Sequence, residues 1–206
     1  MPDLLTRLTA HRLIPVLVLD DAEDALPLAH ALVDGGLPVA EVTLRTAAGL
    51  ASIEAMSQAD DLLVGAGTVL TPAQVDQAVD AGARFVVSPG LSRPVVERCL
   101  ELGVLVLPGA VTATEIQAGL ELGLTTLKFF PAATSGGAPA IRALTGPFPD
   151  MRFVPTGGIG PNNLADYLAI RQVAAVGGSW MAPRDKIAAG AFQEIADLTR
   201  AAVGLL

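Results

Sequence analysis

The sequence predicts an α/β chain in which strands and helices alternate and the strands close into a single-domain (β/α)8 TIM barrel. Three observations predict it. Eight apolar runs of strand length recur about every 20 residues through a chain of 206 residues. The runs are almost continuously hydrophobic, as strands of a covered parallel sheet are. The segments between them carry helix punctuation, and eight such units fit a compact barrel. A doubly wound open sheet is the alternative arrangement of the same alternation.

The strands are read, in order, over Ile14–Leu19, Val39–Leu44, Leu62–Ala66, Phe85–Ser88, Val104–Leu107, Thr125–Phe130, Arg152–Thr156 and Val173–Gly177. Asp20 and Asp21 follow the first and are read as caps that start the first helix. Thr71 followed by Pro72 is an N-cap with a first-turn proline, and Thr112 with Glu115 fits a capping box. Gly82, Gly103 and Gly123 stand where helices end. The tract Glu101-Leu102-Gly103 returns as Glu121-Leu122-Gly123 before the next strand, the mark of a repeated βα unit. No linker or composition shift divides the chain, so residues 1–206 are read as one domain.

Composition narrows the function classes. Hydrophobic residues make up 51% and charged residues 17%, which describes a globular chain. With 21 acidic against 13 basic residues the net charge is −8, and no basic run occurs, so nucleic acid is not an expected partner. The apolar stretches are shorter than the 18 or more residues of a membrane span. The start Met-Pro-Asp-Leu has no basic region followed by an apolar run, so no secretory signal is expected and the expected location is cytoplasmic. One cysteine, Cys99, and two histidines, His11 and His30, are too few for a Cys/His zinc cage. Cys99 occupies an apolar helix position and reads as core. The basic residues include only two lysines, Lys128 and Lys186; Lys186 reads as exposed.

Barrel chemistry sits at the C-terminal strand ends, so polar residues there are the signal. On the sixth strand, period-two alternation puts Thr126, Lys128 and Phe130 on one face and the apolar Leu127 and Phe129 on the other, so Lys128 points into the barrel. A lysine there is costly to keep charged unless it is paired, and the neutral amine is a nucleophile; an ion-paired or snorkelling structural lysine is the competing reading. On the second strand Val39, Glu41, Thr43 and Arg45 share a face, so three polar residues line one edge of the mouth. Glu41 is placed to move protons and Arg45 to hold a carboxylate. A direct Glu41–Arg45 pair is disfavoured by about 13 Å of strand between them. Glycine turns follow the third, seventh and eighth strands as Gly65-Ala66-Gly67-Thr68, Thr156-Gly157-Gly158-Ile159-Gly160 and Gly177-Gly178-Ser179. The last two occupy the loops that commonly hold phosphate in a barrel. Trp180 and Met181 are read as packing beneath that turn.

Six tracts in order resemble the 2-keto-3-deoxy-6-phosphogluconate aldolases, a family with bifunctional members acting on 4-hydroxy-2-oxoglutarate. They are Glu41-Val42-Thr43-Leu44-Arg45-Thr46, Val64-Gly65-Ala66-Gly67-Thr68-Val69, Val87-Ser88-Pro89-Gly90, Leu127-Lys128-Phe129-Phe130-Pro131, Val154-Pro155-Thr156-Gly157-Gly158-Ile159 and Gly177-Gly178-Ser179-Trp180. The resemblance implies a class I aldolase of the Entner-Doudoroff pathway, a homotrimer with no metal or cofactor, whose small-molecule partners are a phosphorylated keto acid and pyruvate. By resemblance, Lys128 forms the Schiff base, Glu41 transfers protons, Arg45 and Thr68 bind the carboxylate end, and Pro89 and Phe130 line the pocket. Thr156 would face the substrate hydroxyls, and Gly157, Gly158 and Ser179 would hold the phosphate. The chain departs from the family where many members carry a basic residue after the first strand and this one has Asp20 and Asp21. The competing functions are the 6-phosphogalactonate-derived aldolase reaction, a metal-dependent phosphosugar isomerase or epimerase, and a non-catalytic phosphate-binding barrel.

Overall fold

The structure, a computed structural model, describes residues 2–206; Met1, part of the N-terminal stretch read above, lies outside the described residues. Among the described residues eight strands are present: β1 (Leu13–Leu17), β2 (Val39–Thr43), β3 (Leu63–Gly67), β4 (Phe85–Ser88), β5 (Leu105–Pro108), β6 (Thr126–Phe129), β7 (Arg152–Pro155) and β8 (Val176–Gly178). Six form a parallel sheet in the order β5-β4-β3-β2-β1-β8, and β6 pairs with β7. Isolated bridges from Gly109 to Lys128, Phe153 to Val173 and Thr156 to Gly177 join the two sheets at both seams and close the barrel.

Alternation along each strand sorts the apolar residues into two cores. Ile14, Val39, Leu63, Phe85, Val87, Leu105, Leu107 and Val154 form the inner cluster, while Leu13, Leu17, Ala40, Val42, Val64, Val86, Val106, Leu127, Phe129 and Phe153 belong to the outer cluster under the helices. Phe129 and Phe153 meet edge to face at 6.4 Å on that outer side, fixing β6 against β7. An amphipathic helix not anticipated from the sequence, α1 (Pro2–Ala10), adds Leu8 to the inner cluster, with Leu4 and Leu5 packed against it. It fills the barrel on the side away from the strand ends that carry the site.

The helix signals act as read. Thr71 accepts from the Gln74 N–H ahead of α4 (Pro72–Asp80), and the capping box of α6 (Ala113–Glu121) is complete. Two expectations are corrected. The eighth strand begins at Val176 rather than Val173, because the apolar run is shared between neighbours: Ala174 N–H donates to Phe153 of β7, and pairing with β1 starts at Val176. Only Asp21 acts as a cap, accepting from the Glu23 N–H at 3.0 Å for the short 3-10 helix Ala22–Asp24 that precedes α2 (Ala25–Asp34); Asp20 is engaged elsewhere. No helix among the described residues is long and apolar enough to cross a membrane.

Candidate active site

Because Leu127 and Phe129 pack outward, Lys128 between them projects inward, and it is 4% exposed. Its backbone is held on both sides, in register with Val154 of β7 and accepting from the Ala110 N–H at 2.8 Å. From β2, Glu41 is 3% exposed and accepts a hydrogen bond from Lys128 Nζ at 3.1 Å. A buried ion pair of this kind is a poor way to gain stability, since desolvating both groups offsets most of their attraction. It is a good way to keep an amine beside its own proton acceptor.

Glycines make room for the two groups that work here. A Cβ at Gly67 would lie 2.7 Å from Glu41 Cγ, and one at Gly177 would lie 3.1 Å from Thr156 Cγ2. Any side chain at either position would displace a neighbour that belongs to the site.

Above the pair opens a cavity of about 310 Å³ bordered by Val16, Val18, Arg45, Phe130, Thr156, Gly157, Gly158, Ile159, Gly178, Ser179, Ala182 and Arg184. Phe130 links the two levels: it lines the cavity, and its ring centroid is 5.1 Å from Lys128 Nζ. Thr156 is 6% exposed, and its hydroxyl has no partner among the described residues. An orphaned hydroxyl costs free energy until something fills it. Gly157 and Gly158 adopt φ of 101° and 71°, a region that side chains rarely tolerate, and Asn163 braces their turn by donating to the Gly158 carbonyl and accepting from the Gly160 N–H. Thr68 is a β-branched residue at φ 60°, and its hydroxyl accepts from Arg45 Nε at 3.3 Å. Strain of this kind persists where surrounding structure imposes it, and here it orients the arginine.

Of the residues expected from the sequence, Arg45, Phe130, Thr156, Gly157, Gly158 and Ser179 border the cavity, with Lys128 and Glu41 beneath it. Thr68 reaches it through Arg45. Pro89 does not line it; it is half-buried against Gly109, where its carbonyl leaves no space for a side chain. Thr43 is no mouth residue either, being fully buried and donating to the Leu17 carbonyl at 2.8 Å. Lys186 is not free: it pairs with Glu194 at 2.7 Å. Sequence reasoning missed Arg184, Asn163 and the inward Val16 and Val18; the last two could have been found from period-two alternation on β1. Among the described residues no group of three His, Cys, Asp or Glu is placed to hold a metal ion.

Comparison with known proteins agrees with this geometry. The family model described as KDPG and KHG aldolase matches residues 4–198. The chain is 51% identical over 190 residues to the 2-dehydro-3-deoxy-phosphogluconate aldolase of Treponema pallidum (strain Nichols), covering 92% of this chain and 90% of that protein. It is 45% identical over 197 residues to the KHG/KDPG aldolase of Escherichia coli (strain K12), covering 95% and 92%. A crystal structure of KDPG aldolase from Legionella pneumophila, with pyruvate captured as a covalent carbinolamine, superimposes with a TM-score of 0.92 at 42% identity over 96% of this chain and 97% of that one. A buried lysine paired to a carboxylate under a cavity with glycine-rich rims, a family match over nearly the whole chain and a close structural likeness agree: this chain belongs to the KDPG and KHG aldolase family.

Proposed function

We propose that the protein is a class I aldolase that cleaves 2-keto-3-deoxy-6-phosphogluconate to pyruvate and glyceraldehyde 3-phosphate through a Schiff base on Lys128, and that it cleaves 4-hydroxy-2-oxoglutarate to pyruvate and glyoxylate at the same lysine. The observation that carries this reading is the buried Lys128–Glu41 contact at 3.1 Å beneath the cavity.

Glu41 takes a proton from the Lys128 ammonium, and the neutral amine attacks the C2 ketone to give a carbinolamine. Glu41 returns that proton to the departing hydroxyl, so water leaves and a protonated imine remains. The Glu41 carboxylate then removes the C4 hydroxyl proton, the C3–C4 bond breaks, and its electron pair enters the imine to form an enamine while the aldehyde departs. Protonation at C3 by Glu41 and addition of water release pyruvate and restore the ion pair. One carboxylate serves every proton transfer because it alternates between acid and base.

Arg45, oriented by Thr68, anchors the carboxylate end, and Phe130 shapes the pocket around the imine. The unpartnered Thr156 hydroxyl bonds the substrate hydroxyls, and the Gly157–Gly158 turn with Ser179 receives the phosphate. We assign the whole chain to one catalytic domain and, from family membership, to a cytoplasmic homotrimer acting in the Entner-Doudoroff route. Borohydride reduction in the presence of pyruvate is the test: a stable adduct on the peptide containing Lys128 is expected, whereas labelling at Lys186, or none, overturns the covalent mechanism. Parallel assays with both keto acids and the 6-phosphogalactonate-derived epimer fix the preferred substrate.

A further inference from the structure

The cavity has two charged lining residues, Arg45 and Arg184. Arg45 is committed to the carboxylate end. Arg184 opens the short helix α9 (Arg184–Ala188) after β8, on the same stretch of rim as the Gly178–Ser179 turn. Its guanidinium makes a two-pronged contact with Asp20, Nε donating to Oδ2 at 2.7 Å and Nη2 to Oδ1 at 2.6 Å. That uses one edge of the fork. Of about five N–H donors on an arginine, three remain free.

The anchor is itself fixed. Leu19, just before Asp20, is fully buried, and its carbonyl accepts from the Thr46 hydroxyl at 2.5 Å. Asp21, just after it, caps the following turn. Asp20 therefore holds the arginine from a rigid point across the β8–β1 seam. Both of its oxygens face the guanidinium, so the pair is electrically neutral as a whole and leaves a donor edge rather than a carboxylate free to meet an anion. Hydrogen bonding to Arg184 lowers the Asp20 carboxyl from its ordinary range, and the same bond raises the guanidinium, so both stay ionised at neutral pH.

We propose that Arg184, positioned by Asp20, reads the phosphate monoester of the substrate, supplying to the glycine cradle the one cation it otherwise lacks. This rests on the aldolase reading given above. An untethered arginine loses side-chain freedom when it binds; a guanidinium already pinned has little left to lose, so the exposed pair contributes to recognition more than to stability.

The side chains of Arg184 and Asp20 are 60% and 48% exposed, so substitution at either leaves the core intact. In the full-length protein, Arg184→Met is expected to raise KM for 2-keto-3-deoxy-6-phosphogluconate about tenfold with kcat changed less than about twofold, the worth of a screened charge-assisted hydrogen bond. Binding of inorganic phosphate, read by phosphorus-31 line broadening, should weaken in parallel. Asp20→Ala is expected to raise KM by a smaller factor, and to add nothing once Arg184→Met is present. A KM within about twofold of the parent for Arg184→Met, or a loss confined to kcat, overturns the role of Arg184; a lower KM for Asp20→Ala overturns the positioning role of Asp20. If the parent releases no pyruvate and traps no imine, the aldolase reading fails instead, and the phosphate titration of parent against Arg184→Met still decides whether Arg184 holds the anion.

Discussion

Gly67 sits on β3 opposite Thr43 in register, and the space its missing side chain leaves is occupied by the Glu41 carboxylate. In Gly67→Ala the new Cβ would stand 2.7 Å from Glu41 Cγ and 2.9 Å from Cδ, with Oε1 nearer still. Ordinary contact begins at 3.4 Å, so the Glu41 side chain must retreat by at least about 0.7 Å, the shortfall for Cγ at 2.7 Å, and by more at Oε1. The hydrogen bond to Lys128 Nζ is 3.1 Å, and a displacement of that size takes it out of the useful range or bends it. Misplacing a catalytic group by roughly an ångström costs on the order of 100-fold, so kcat for pyruvate release should fall by about that factor. Crowding should also lower stability by about 1–3 kcal/mol, which thermal unfolding would measure separately. The decisive assay pairs pyruvate release with borohydride trapping, because Lys128 is untouched and should still be labelled by pyruvate. A folded variant with kcat within about threefold of the parent would refute the assignment of Glu41 as the proton carrier held by this packing.

Replacing Glu41 with Gln should likewise lower turnover strongly while trapping at Lys128 persists, and unchanged turnover would remove Glu41 from the mechanism. Thr112→Ala removes the N-cap of α6 and should cost about 1 kcal/mol, or about 2–4 °C in Tm for a chain of this size. Burial alone would raise the Glu115 carboxyl, but hydrogen bonds from the Val111 N–H, the Thr112 hydroxyl and the Thr112 N–H outweigh it and hold the group below its ordinary 4.5. Its stabilisation is therefore present above pH 4.5 and is lost as pH falls through the lower folded value, so the Tm gap between parent and Glu115→Gln should narrow on acidification from pH 7; a gap that widens would reverse the sign. Burial pushes the Cys99 thiol up to about 12, so a disulfide reagent at pH 8 should label it only after unfolding, and rapid stoichiometric labelling of the native protein would contradict its place in the core.

Lys128 and Glu41 were legible in the sequence for one physical reason: each is a charged residue on the inner side of an alternating strand whose outer side is apolar, and the strand period is short enough to assign faces from a few residues. The Gly157–Gly158 turn was legible because backbone freedom at φ above zero selects glycine strongly, whereas Gly67 and Gly177 lie in strands and are glycine because a Cβ there would meet Glu41 and Thr156. What escaped had no period. The strain at Thr68 is invisible because nothing in a threonine announces a left-handed backbone. The ion pair of Asp20 with Arg184 joins residues 164 apart, and it forms because the last strand closes against the first. Reading Asp20 as a helix cap was reasonable locally; closure gave it another partner. The helix α1 was missed because no capping pattern of the kind that marked α4 and α6 precedes it, and its value lies in Leu8 reaching the inner core.

A chain of net charge −8 repels anions at a distance, yet the proposed substrate carries a carboxylate and a phosphate. The site answers this locally. The acidic excess lies mainly on exposed carboxylates, several of them already paired, such as Asp76 with Arg98 and Asp197 with Arg200. At about 8 Å of screening in physiological salt, charges on the far helices contribute little at the barrel mouth. Within the mouth, Lys128 and Glu41 cancel, Asp20 and Arg184 cancel, and Arg45 remains with the hydroxyls and backbone donors of the glycine turns. The affinity for an anion thus rests on oriented donors, the remaining N–H groups of the Arg184 guanidinium among them, instead of on net charge. It follows that raising the ionic strength should change KM only modestly; a loss of affinity proportional to salt over several decades would mean that long-range attraction, and so a different set of cations, brings the substrate in.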